Sequence, residues 1–382
     1  MASADAQWLA QNTGFKILAA AAADAPSVSS RDFARKIIDF DSEGDSGKAF
    51  LAQAPLSSPI TDMKDIPWSA GMKPIPAPAM AGSAAEPLPE ADVVIVTWTM
   101  DEGHTLSRVL TPGFDSDRNW KHYTHNYEQI ASKMRKDAPA LEEERLGTYW
   151  LTQIAGRKVL CFKSDSHLSQ DGPATNGVVP NAIVWKQIIT EARPKLVITT
   201  GTGGGIGLDV EVGDVVVSEY VHFDCQQDFK NAPFHDAQYK SPGAVSTARL
   251  NETTALFAAN AGFLPKTNSR PPKVLKSSSY PTGIVTTDFF GFDCTANTFK
   301  LRDPVQGRLS EMGDAVLGMV CKEIGAGAPP YIVVRNVSDP EIKSDGLTEA
   351  QQQSLAGNIY MAFGKWSTVC SAITCCTLVW SL

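Results

Sequence analysis

No apolar run in the chain reaches the roughly 18 residues that a membrane span requires. The longest, Val369 to Trp380, is broken by Ser371, Thr374 and Thr377 and reads as a buried terminal helix or strand. An excess of positive charge is also missing. Thirty-four Lys and Arg stand against 42 Asp and Glu, a net charge of -8, whereas a nucleic-acid binder presents a basic face. A small anionic substrate stays open, because local charge can oppose the global sign. The seven cysteines (Cys161, Cys225, Cys294, Cys321, Cys370, Cys375 and Cys376) are odd in number and hold no CxxC pair. This argues against a disulfide framework or a structural zinc site. The N-terminus has neither the charged start nor the continuous apolar stretch of a secretory signal, so the expected location is the cytoplasm. What is present is ordinary for a soluble globular chain: 43% hydrophobic and 20% charged residues over 382 positions. That is enough for one large domain with extensions, or for two domains.

The first ninety residues differ from the rest, holding 20 Ala and 9 Pro. Pro74, Pro76, Pro78, Pro87 and Pro89 cannot share a helix, because proline fixes φ and removes a backbone donor. Residues 1–90 are therefore expected to form an extension, with short helices at 10–24 and 30–40 and an extended strap at 70–90. From 91 to 382 strands and helices alternate. Strands are expected at DVVIVT (92–97), 157–162, LVITT (196–200), DVVVS (214–218), GIVTT (283–287) and YIVV (331–334). Helices fit 181–192, 247–260, 313–324 and 348–366. The alternation predicts an α/β fold, a doubly wound and mostly parallel sheet. In such sheets ligands bind beyond the carboxyl ends of the strands.

Beyond LVITT comes Gly201-Thr202-Gly203-Gly204-Gly205-Ile206-Gly207, read as a loop that stops the strand and approaches a ligand closely. A dinucleotide fingerprint should open into a helix. Here the next element is the strand DVVVS, so no nicotinamide or flavin cofactor is expected. The succession GTGGGIGLDVEVGDVVVS, GIVTTDFF, SEMGDAV and YIVVRNVSDP resembles the nucleoside phosphorylase and nucleosidase superfamily. The branch it is most similar to is the methylthioadenosine/S-adenosylhomocysteine nucleosidases. The resemblance spans about Val93 to Ser367.

The resemblance implies a purine nucleoside or thio-nucleoside as substrate, hydrolysis of its N-glycosidic bond, and assembly as a homo-oligomer. It places Asp339, in Arg335-Asn336-Val337-Ser338-Asp339, as the acid that protonates the leaving base, a contribution of about 10²–10⁴ in rate. A desolvated strand end would raise its pKa and keep it protonated. Glu102, in Trp98-Thr99-Met100-Asp101-Glu102, falls on the glutamate that holds the attacking water; a shifted register would put Asp101 there. A solvated acidic helix start is the plain alternative. Phe290, with its neighbour Phe289, falls on the aromatic that stacks on the base. Gly203 and Gly204 run along the ligand, and Ser338, Glu311 and Met312 line it.

Two departures stand out. The family reads Glu-Met-Glu where this chain reads Glu311-Met312-Gly313-Asp314, so the side chain that grips the sugar hydroxyls is missing. Asp314 comes one position late, a rotation of about 100° on a helix. The stretch after Lys163 is long and carries His167, which is able to reach the pocket. Phosphorolysis needs cations on the phosphate; Met100-Asp101-Glu102 offers carboxylates instead, and Arg108, Arg157 and Lys163, the available substitutes, read first as surface charges. His222, Asp224 and Cys225 match no recognised metal spacing, so no metal is expected. Two rivals stay open: a repurposed scaffold acting as a lyase or cyclase on another metabolite, and a nucleoside-binding module without turnover.

Overall fold

The computed structural model describes residues 65–136, 138–168, 179–207, 209–257, 270–277, 283–288, 308–339 and 349–382. In the last segment, side chains are described at Tyr360, Gly364 and from Ser367 onward. The helices expected at 10–24 and 30–40, and the pair Phe289–Phe290, lie outside the described residues.

In chain order the elements that build the site are β1 (Val93–Thr97), α1 (Met100–Leu110), β2 (Gly147–Ile154), β3 (Arg157–Ser164), α2 (Pro180–Ala192) and β4 (Leu196–Gly205). They continue with β5 (Val215–Ser218), β6 (Tyr220–Asp224), α3 (Leu250–Phe257), β7 (Val274–Ser277) and β8 (Ile284–Thr287). The chain closes with β9 (Leu309–Glu311), α4 (Asp314–Ile324), β10 (Tyr331–Asp339) and α5 (Glu349–Ser381).

β1 is five β-branched residues, all buried, which suits a strand covered on both faces. It lies parallel to β3 on one side and β4 on the other. β4 is parallel to β10 as well. Side chains alternate across this centre. Val94 and Val96 face a cluster with Trp185 of α2 and Leu317 of α4. Val93 and Ile95 face a second with Leu106 of α1, Phe257 of α3 and Ile373 of α5. Helices thus cover both faces of an α/β sheet, as expected. The centre is parallel, and antiparallel pairs flank it: β2 with β3, β9 with β4, and β5 with β10.

The strap at 70–90 is extended along one edge. Ile75 and Pro76 pair with β2, Ala77 N–H donates to the Leu151 carbonyl (2.9 Å), and Met72 and Leu88 are buried.

Two boundaries differ from the sequence expectation. The glycines do not stop the strand: β4 continues through Gly201 to Gly205, because β10 pairs with it through Val337–Gly203 and Asp339–Gly204. β10 likewise runs on past YIVV, so Ser338 and Asp339 end the strand rather than follow it. A register shift lies between Val337 and Asp339. Glycine is needed on β4 because neighbours press in. A Cβ at Gly203 would overlap the Leu309 side chain and stand 2.7 Å from the Ser310 carbonyl oxygen.

Candidate active site

Because β1, β4 and β10 are parallel neighbours, their carboxyl ends lie together, and the buried charges collect there. α1 begins three residues beyond β1. Thr99 is its N-cap and Glu102 its third residue, and the two form a reciprocal capping box. Glu102 is buried, 2% exposed, while Asp101 points outward. The solvated helix start is therefore not what forms. Glu102 Oε2 accepts from Thr97 Oγ1 (2.9 Å), Trp98 N (3.1 Å) and Thr99 N (3.0 Å). Oε1 accepts from Thr202 N (2.7 Å) and Thr202 Oγ1 (2.8 Å). The donors thus fill a carboxylate with about four lone-pair sites. Burial pushes the Glu102 carboxyl up, but Arg335 and the hydrogen bonds of Thr202 and Thr99 outweigh it, holding the group below the ordinary glutamate value.

Glu311 repeats the device at α4. The N-cap there, Gly313, has no side chain to offer. Instead Glu311 Oε2 accepts from Gly313 N (2.6 Å) and Asp314 N (2.9 Å), and Thr286 Oγ1 donates to Oε1. Burial, then the charge of Asp314, push Glu311 up to about 8 against the pull of Arg335.

Arg335 of β10 binds these pieces together. It is 4% exposed and grips Asp314 bidentately, with Nε–Oδ2 and Nη2–Oδ1 both 2.8 Å. Glu311 Oε2 lies 3.4 Å and Glu102 Oε1 3.8 Å from the guanidinium, which also lies 4.6 Å from the centre of the Trp98 ring. Such a buried cation is tolerable only when carboxylates surround it.

Asp339 ends the same strand, β10. It pairs with Gly204 across the strands, and a Cβ on Gly204 would stand 3.0 Å from its Oδ2. Among the described residues, its side-chain donor is Ser338 Oγ, 2.6 Å from Oδ1. Burial raises its pKa to about 7 against this hydrogen bond. Glu102 and Asp339 thus reach the same strand end with opposite protonation tendencies.

The structure brings together Glu102, Gly203, Gly204, Glu311, Ser338 and Asp339. Met312 is half-buried between Glu311 and the Gly313 cap. Residues that sequence reasoning left without a role are Arg335, Asp314, Thr202, Trp98 and Tyr360. An arginine amid the apolar residues of YIVVRNV is a legible sign of a buried charge needing partners. Thr99-x-x-Glu102 is a legible capping box. Tyr360, on α5, carries no local signal. Burial, then the charges of Glu102, Asp101 and Asp339, push its pKa up. His167 lies edge-on to Trp98 with ring centres 6.4 Å apart, and burial lowers its pKa to about 4.

Lys163 is not a surface charge. It is buried and ion-paired with Asp165, which also accepts from Arg145 Nε at 2.8 Å. The grouping of metal-type side chains among the described residues is His104, Asp115 and Asp117. There His104 Nε2 lies 3.5 Å from an Asp115 carboxylate oxygen and Nδ1 lies 3.8 Å from an Asp117 carboxylate oxygen. Among the described residues, no helix is long and apolar enough to cross a membrane.

The chain is similar to the 5'-methylthioadenosine/S-adenosylhomocysteine nucleosidase of Hydrogenovibrio crunogenus, 25% identical over 227 residues that cover 59% of this chain and 87% of the relative. It is similar to the enzyme of that name from Geobacillus sp. (strain WCH70), 30% identical over 174 residues, 45% of this chain and 68% of the relative. A crystal structure of the Helicobacter pylori 5'-methylthioadenosine/S-adenosylhomocysteine nucleosidase aligns with a TM-score of 0.47 at 14% identity, covering 77% of this chain and all of that one. The sequence pattern of the phosphorylase superfamily matches residues 124–361. That span takes in the glycine strand, Glu311, Arg335 and Asp339, and on this match the chain belongs to the phosphorylase superfamily.

Proposed function

We propose that the chain hydrolyses the N-glycosidic bond of a purine nucleoside or thio-nucleoside. Asp339 is the general acid that protonates the leaving base, and Glu102 is the ionised carboxylate that orients water. The observation that carries this reading is the split between two buried carboxylates at one strand end. One is held ionised by Arg335 and its donors; the other is kept protonated by burial near neutrality. Opposed pKa shifts of this kind mark acid and base assignments. A water reaches Glu102 when one of the two rotatable donors, the hydroxyl of Thr97 or of Thr202, turns away. The names of the curated relatives support the substrate class.

Hydrolysis is favoured over phosphorolysis by the state of the cations. Arg335 and Lys163 are already paired with Asp314 and Asp165, and a desolvated phosphate needs cations of its own. Assembly as a homo-oligomer in the cytoplasm belongs to the same proposal and rests on the family alone. Sedimentation of the purified chain tests it.

A second reading is favoured by Gly313. The Trp98 indole lies over it, with a Cβ there 3.6 Å from Trp98 Cζ2, and Asp314 is committed to Arg335. A substrate that lacks the sugar diol, or one that is no nucleoside, fits that corner. Base release from adenosine, 5'-methylthioadenosine and 2'-deoxyadenosine, each with and without inorganic phosphate, separates the readings. Release that is indifferent to phosphate is expected. No turnover of any of the three, with no binding by calorimetry, overturns the nucleosidase reading in favour of the repurposed site.

A further inference from the structure

Trp98 follows β1 directly and lies in the turn that also holds Glu102. Its backbone N–H donates to Glu102 Oε2 at 3.1 Å. The indole is buried, 5% exposed, and set among named neighbours. The Arg335 guanidinium lies 4.6 Å from its ring centre, and Trp185 of α2 and His167 both meet it edge-on. A further neighbour is Gly313, where a Cβ would stand 3.6 Å from Cζ2 and 3.7 Å from Cε2 of the indole. Cε2 is the carbon that carries Nε1, so the N–H edge of the ring borders the place where Gly313 has no side chain.

Trp98 Nε1 is itself buried and has no hydrogen-bond partner among the described residues. An indole nitrogen donates and does not accept, so Trp185, whose Nε1 also lacks a partner, offers it nothing. The nearby carboxylates are committed to donors of their own: Glu102 to Thr97, Trp98, Thr99 and Thr202, and Glu311 Oε2 to Gly313 N and Asp314 N. A buried N–H without an acceptor is uncommon and costly, and a ligand that brings the acceptor removes the cost. Where a glutamate at 313 would accept from a ligand, this chain presents a group that donates. Charge decides what kind of acceptor fits. Arg335 is gripped by Asp314, with Glu102 and Glu311 beside it. Glu102 and Asp314 together outweigh that one cation, so an anionic ligand atom is repelled and a neutral oxygen is admitted.

We propose that Trp98 is a specificity-determining residue, whose indole N–H donates to a neutral oxygen of the substrate in the corner beside Gly313. In a nucleoside that oxygen is a sugar hydroxyl, an identity that rests on the nucleosidase reading.

The test uses Trp98→Phe in the full chain, which keeps an aromatic ring beside Arg335 and removes the N–H. Affinities for adenosine and for 2',3'-dideoxyadenosine, which lacks both ring hydroxyls, are measured by calorimetry. Both chains also carry Asp339→Asn, so that the glycosidic bond survives the measurement. The ¹⁵N-labelled indole resonance of Trp98, one of eight, is assigned by its loss in the variant. Adenosine should move this resonance and dideoxyadenosine should leave it in place. Trp98→Phe should weaken adenosine by about tenfold and dideoxyadenosine by less than about twofold. A packing role alone would weaken both ligands alike; that result, or a resonance that adenosine does not move, overturns the proposal. If Trp98→Phe does not fold, Gly313→Ala assigns the resonance, because its methyl would lie 3.6 Å from the ring, and the response to the two ligands decides. Base release by the wild-type chain with an unmoved resonance removes the role of Trp98 alone. A moved resonance with no base release removes the nucleosidase reading alone. If neither nucleoside binds, both fall.

Discussion

Asp339 shows at the scale of one residue how burial makes a carboxyl hold its proton. Its carboxyl, ordinarily near 3.8, is raised to about 7. A proton is therefore available where an exposed aspartate would have lost it. The same shift carries a stability cost of definite sign. The raised folded pKa favours the fold fully below about 4, and that contribution is lost as pH rises through about 7. Under the nucleosidase reading, Asp339→Asn should lower kcat by about 10² or more, since an amide does not deliver the proton. It should also stabilise the chain relative to wild type by more at pH 8 than at pH 5, up to about 4 kcal/mol. Urea unfolding at the two pH values measures this. A variant that keeps its kcat removes Asp339 from the chemistry.

Gly313 is the residue whose neighbours were invisible in sequence. Its φ is −168°, an extended value open to any residue, and a Cβ there would meet Trp98 and Glu311 at 3.6 to 3.9 Å, ordinary contact. Trp98 Nε1–H has no hydrogen-bond partner among the described residues. Gly313→Glu should therefore be accommodated. Under the nucleosidase reading it should improve binding of adenosine over 2'-deoxyadenosine by about tenfold, because a restored acceptor selects for the hydroxyl. Calorimetry with both ligands decides; equal affinities would show that the sugar does not occupy this corner.

At the scale of elements, the glycine strand and the terminal helix carry the site. β4 passes between β1 and β10, and β9 also pairs with its end. Space for side chains there has been given up for backbone approach. Gly203→Ala should destabilise by roughly 1–3 kcal/mol, since its Cβ meets Leu309 and the Ser310 backbone; a shift in urea midpoint at unchanged slope is the expected signature. α5 is one continuous helix, whereas the sequence suggested one at 348–366 and a separate apolar stretch beyond. The hydroxyls that interrupt Val369 to Trp380 do not break it. Ser371, Thr374 and Thr377 donate to carbonyls three or four residues earlier, so each is satisfied inside a buried helix. Asn336 of β10 clamps the helix through Ser367 and Ser371 at 2.6 and 2.8 Å. This clamp and the buried apolar face of the helix fix the span that carries Tyr360.

At the scale of the whole molecule, Arg335 is the point where distant parts depend on one another. α1, β4, β9 and α4 each place a group against it: Glu102, the Thr202 carbonyl, Glu311 and Asp314. Two helix N-termini, whose dipoles favour negative charge, flank the same place. Arg335→Met should cost about 3–5 kcal/mol, because it leaves buried carboxylates without their cation. The loss should shrink on acidification, as Glu311, already raised to about 8, takes up a proton. Denaturation at pH 5 and pH 8 checks both parts, and an equal loss at the two pH values would mean the carboxylates find another partner.

Local pattern was enough for the fold class. The β-branched runs at 93–97 and 332–334, the helices at Pro180–Ala192 and Asp314–Ile324, and four ordered motifs already specify an α/β chain of this family. These features are written in neighbouring residues, where periodicity and turn chemistry act. What the tertiary structure decided depends on groups brought from far apart in the chain. Glycines become strand because β10, more than a hundred residues later, pairs with them. Glu102 is buried and ionised rather than solvated because Thr202 and Arg335 close over it. Tyr360 is brought within the influence of Glu102 and Asp339 by the terminal helix. Burial and charge pairing arise only when the sheet assembles, so no single stretch of sequence encodes them.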